Sequence, residues 1–64
     1  MQNNIKKRRE ELNLNQEQLA EKAGVARTVI SQLETGQRTV ITSDTMLKLA
    51  KAMECTVPDI FVFS

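Results

Sequence analysis

From Ala26 onward the apolar positions Ala26, Ile30 and Leu33 recur at helical spacing, while Arg27, Thr28, Ser31, Gln32 and Thr35 fall together on the opposite side. This pattern predicts a two-sided helix over about 26–35, ended by Gly36. A second helix precedes it over about 16–23. Asn15 reads as its N-cap, Gln18 three residues on completes a weakened capping box, and Gly24 stops it because glycine takes the left-handed conformation without a Cβ clash. The same reading extends to the rest of the chain. Ile5, Arg8, Arg9 and Leu12 share a face at i, i+3, i+4, i+7 spacing, a first helix ending near Asn13, after which Leu14 plugs the core. Thr42, Ser43 and Asp44 cap a fourth helix in which Met46, Leu49, Ala50 and Met53 line one face and Lys48 and Lys51 point out. Thr56-Val57-Pro58-Asp59 starts a short fifth, with proline tolerated in the first turn. The expected class is all-α with five helices.

Two short helices joined by a glycine turn form a helix-turn-helix, the unit that presents its second helix to a DNA major groove. Gln16, Ala20, Gly24, Ile30 and Leu33 sit where that pattern places a polar phosphate-facing residue, a small residue at the helix crossing, the turn glycine and two core aliphatics. Leu19, Ala23 and Val25 take the remaining core places. The stretch resembles the Cro/C1, lambda repressor-like family of helix-turn-helix regulators. The resemblance implies a compact five-helix DNA-binding domain over 1–64, with Gln16, Thr35, Gln37 and Arg38 holding the DNA backbone. It also implies that Arg9 and Glu34 pair between the first and third helices. The residues point the same way, since Arg9 lies on the inward side with Ile5 and Leu12, and a buried guanidinium needs a carboxylate. The alternative is that Arg9 reaches out to solvent along its own methylenes.

Composition narrows the function. At 64 residues and 41% hydrophobic the chain is expected to be one domain, with no room for a ligand-sensing partner domain and no small-molecule effector. There is no histidine and one cysteine, and no metal cluster or phosphate loop, so no enzyme, cofactor or metal site is expected. A single cysteine and no charged-then-apolar leader point to a reducing cytoplasm, and no apolar run is long enough to cross a membrane. Net charge is only +1, but Lys6, Lys7, Arg8 and Arg9 form a basic block, and Arg27 and Arg38 flank the proposed reading helix.

A reading helix enters the groove by its N-terminal end. Arg27 and Gln32 are the expected base readers, arginine by a fork to guanine and glutamine by a fork to adenine. Thr28 offers a methyl or hydroxyl to a base edge, with Ser31 as a further candidate. Lys6 and Arg8 are candidates for additional phosphate contacts. The expected partner is double-stranded DNA, read by a symmetric homodimer. Ile60, Phe61, Val62 and Phe63 are four consecutive apolar residues, and they are the expected dimer contact. Alternatively Ile60 and Phe61 close the chain's own core while Val62 and Phe63 fray. The function these residues imply is that of a small repressor on a palindromic operator. The alternative is an antitoxin or restriction-modification controller whose apolar tail also binds a protein. Two departures from the family pattern stand out. Ala26 replaces the usual serine or threonine cap of the reading helix, and Glu54 stands where glycine commonly ends the fourth helix.

Overall fold

The computed structural model describes residues 2–37 and 40–62. Its helices are α1 (Ile5–Glu11), α2 (Gln16–Ala23), α3 (Arg27–Thr35), α4 (Ser43–Ala52) and α5 (Val57–Ile60). The all-α, five-helix expectation holds, with one addition. Gln2–Asn3 (β1) and Phe61–Val62 (β2) form a two-stranded antiparallel ladder that joins the two ends of the chain, with Gln2 opposite Val62 and Asn3 opposite Phe61. The Asn4 amide extends it, donating to the Ile60 carbonyl at 2.7 Å.

Local chemistry sets the helix limits. Asn15 Oδ1 accepts from the Gln18 amide at 2.7 Å, and Gln18 Oε1 accepts from the Asn15 amide at 2.9 Å, a reciprocal box that starts α2. Gly24 (φ 72°) and Gly36 (φ 79°) end α2 and α3 in the left-handed conformation. Ala26 caps α3 without any side-chain acceptor. Thr42 caps α4 by accepting from the Thr45 amide. Among the described residues, two that bear side chains also adopt positive φ: Asn13 (58°), where α1 stops two residues earlier than the pattern suggests, and Glu54 (55°) in the α4–α5 turn. Asparagine tolerates that conformation, whereas glutamate is strained in it by about 1 kcal/mol.

The core draws on every helix. Ile5, Leu19, Ile30, Leu33, Leu49, Met53, Ile60 and Phe61 are all at most 1% exposed. The last two correct an expectation, because Ile60 and Phe61 close the chain's own core and their side chains are not presented to a second copy. A short domain has few places to bury large side chains, and α5 packs on α4 while β2 pairs with β1 to use them. The Val62 side chain and Phe63, the rest of the expected dimer contact, lie outside the described residues, as does Arg38.

Candidate nucleic-acid interface

The candidate surface is the polar flank of α3. Its inner face is anchored by Ile30 and Leu33, both buried, so the opposite face turns outward by helical geometry. Arg27 and Thr28 are exposed in its first turn, Ser31 and Gln32 are half-buried in its middle, and Thr35 is exposed at its end. The structure therefore brings the four expected base readers onto one accessible strip. Gln37, just past the helix, is exposed as well.

A polar network fixes this helix to the two before it. Arg9 Nε donates to Glu34 Oε2 at 2.9 Å and its Nη2 to Glu34 Oε1 at 3.0 Å, a two-pronged ion pair. The Arg9 side chain is 11% exposed and that of Glu34 5%. The remaining direction of the guanidinium is used too, with Nη1 donating to the Leu14 carbonyl at 2.9 Å. The outward-reaching alternative for Arg9 does not occur. The hydrogen bond to Glu34 raises the Arg9 pKa above its ordinary value against the opposing effect of burial, so the guanidinium stays charged.

Gln16 joins the same network. Its Nε2 donates to Glu34 Oε1 at 3.2 Å, a contact that the sequence pattern does not foretell. An amide nitrogen carries two protons, so one remains to reach a phosphate beside the start of α2. Thr35 is more constrained than expected: its hydroxyl donates within the helix, to the Ser31 carbonyl at 2.9 Å with the Gln32 carbonyl at 3.3 Å. To donate to a phosphate it must give up that bond.

The basic block of α1 divides three ways. Lys6 and Lys7 are exposed, Arg9 is held by Glu34, and Arg8 turns away from α3 to donate from Nε to the Met53 carbonyl at 3.1 Å. Arg8 also pairs with Glu11 at 3.6 Å. Its Nε closes the end of α4. Beside it, burial pushes the half-buried Cys55 thiol up, away from the reactive thiolate form. Among the described residues no group of acids, cysteines or histidines could hold a metal ion, and no helix is long and apolar enough to cross a membrane.

The arrangement of α2, turn and α3 is shared with known proteins. A helix-turn-helix family profile matches residues 5–60. The control protein C.SmaI of Serratia marcescens is 46% identical over 55 residues, which are 86% of this chain and 64% of that protein's length. The chain thus spans somewhat less than two thirds of that relative. Among solved structures, SinR, a master regulator for biofilm formation crystallised in complex with DNA, superposes with a TM-score of 0.81 at 31% identity, covering 84% of this chain and 86% of its own. The restriction-modification controller C.AhdI of Aeromonas hydrophila gives a TM-score of 0.81 at 33% identity, covering 89% and 85% respectively. With the profile spanning most of its residues, the chain belongs to the Cro/C1 type of the helix-turn-helix family.

Proposed function

We propose that this protein is a cytoplasmic, sequence-specific DNA-binding transcriptional regulator that inserts α3 into the major groove. The observation that carries the reading is the exposed start of α3, Arg27 and Thr28, on a helix whose other end is locked to α1 and α2 through Glu34. Arg27 forks onto guanine O6 and N7, Gln32 onto adenine N6 and N7, and Thr28 and Ser31 meet neighbouring base edges. Gln16, Gln37 and Arg38 hold the flanking phosphates, joined by Thr35 once its hydroxyl leaves the Ser31 carbonyl. The protein acts as a small repressor, a homodimer on a palindromic operator. A second reading, a restriction-modification controller, is favoured by the resemblance to C.SmaI and C.AhdI.

Selection of bound duplexes from a random pool tests this directly, and a palindrome with half-sites roughly 34 Å apart is the expected product. Against that duplex, Arg27→Ala and Gln32→Ala should each lose about 1–3 kcal/mol of affinity and relax preference at one base pair. Unchanged affinity in both variants would refute the groove assignment.

A further inference from the structure

The reading helix is held unequally at its two ends. At its start Ala26 supplies no capping acceptor, and Arg27 and Thr28 stand out from the surface. At its far end three elements grip it. Arg9 of α1 and Gln16 of α2 both hold Glu34, and Asn3 of β1 donates from Nδ2 to the Leu33 carbonyl at 3.0 Å. Carbonyls in the last turn of a helix lack a full set of intrahelical partners, and the Gly36 amide, which also reaches the Leu33 carbonyl, lies at 3.4 Å. Asn3 Oδ1 meanwhile accepts from the Ile5 amide at 3.3 Å, and the Asn3 backbone pairs with Phe61. One residue thus ties the start of α1 and the terminal ladder to the last turn of α3.

We propose that Asn3 is a positioning residue for DNA reading, fixing the angle at which α3 presents Arg27 and Thr28. The inference rests on the groove-reading function of α3. Leu33 is six residues from Arg27, a lever of about 9 Å at 1.5 Å per residue. A tilt of about 10° at the clamp displaces the Arg27 backbone by about 1.5 Å, whereas a productive contact tolerates about 0.5 Å. Asn3 lies at the clamped end, so its loss degrades discrimination between duplexes and leaves phosphate-driven affinity in place.

Two variants of the full chain separate the contact from the fold. Asn3→Asp keeps the shape and the acceptor for Ile5 but cannot donate to a carbonyl when ionised. Asn3→Leu keeps the approximate shape and removes both groups. Thermal unfolding first establishes that each is folded at the assay temperature. In the free protein the Leu33 carbonyl carbon resonance should move in both variants. Affinities are then measured for the wild type's selected duplex and for an unrelated duplex of the same length. The ratio of the two should fall about threefold or more in both variants, with the salt slope of Asn3→Leu unchanged. The added charge of Asn3→Asp weakens both duplexes alike and cancels in the ratio. An unmoved Leu33 resonance overturns the contact, and a wild-type ratio in both variants overturns the positioning role alone. A wild-type protein with no preferred duplex refutes the groove-reading function, and the role of Asn3 with it.

Discussion

Glu34 joins three helices through one side chain, because its nearly buried carboxylate takes both prongs of Arg9 and the amide of Gln16. Removing it leaves a guanidinium in a site too dry to solvate it. Glu34→Ala should therefore cost about 3 kcal/mol or more, a large share of what a domain of this size has. Urea unfolding of the variant checks this, and a loss below about 1 kcal/mol would mean that Arg9 finds water. The raised pKa of Arg9 gives the pair its pH behaviour. A cation whose folded pKa lies above its unfolded one contributes in full below the unfolded value and loses that contribution as pH rises through the folded one, so it stays constant through neutral and moderately alkaline solution.

At the scale of the element, the caps decide which ends are firm. Ala26 has the extended conformation of an N-cap (φ −70°, ψ 140°) and lacks only the oxygen. Ala26→Ser should stabilise by about 1 kcal/mol, raising the melting temperature by about 4–8 °C in a calorimeter. The start of α5 is the converse case. Asp59 accepts from the Thr56 amide at 2.9 Å and from its hydroxyl at 2.7 Å, and these bonds, the backbone one first, hold its carboxyl below its ordinary value. A depressed folded pKa contributes above the unfolded value and is lost as pH falls through the folded one. Asp59→Ala should accordingly be less stable than wild type at neutral pH, with the difference closing as the solution is acidified below about pH 4. Such caps are legible in the sequence because donor and acceptor lie within three residues, as are Gly24 and Gly36 as stops and Glu54 as a misfit. The terminal ladder is not legible, since two-residue strands carry no period and their partners lie at opposite ends of the chain. The Arg9–Glu34 pair is visible in outline, because an arginine on an apolar stripe demands an acid. The turn of Arg8 toward Met53 and the back-bond of Thr35 depend on the final placement of helices and rotamers, which spacing does not encode.

For the whole molecule, the length of α3 bounds the discrimination that the proposed groove reading can supply. Nine residues at 1.5 Å each give α3 a length that covers only about four base pairs. With Arg27 and Gln32 as the proposed forked readers at roughly 1–3 kcal/mol each, one copy supplies about 2–6 kcal/mol, the low end of the 4–10 kcal/mol that separates specific from non-specific binding. Two copies on a two-fold axis reach it. Ile60 and Phe61 are committed to the chain's own core, which leaves Val62 and Phe63 of the expected dimer contact. A chain cut after Phe61 should therefore be folded but monomeric in sedimentation equilibrium where the wild type is a dimer. It should keep its half-site affinity and lose that for the palindrome. A dimer that survives the cut would move the contact to Val40 and Leu47, the large apolar side chains exposed among the described residues, at 82% and 52%. Leu47→Lys should then dissociate it. Monomers of both chains at high concentration, with tight binding to a single half-site, would instead mean that α3 and its phosphate contacts suffice alone, and the homodimer proposal would fall.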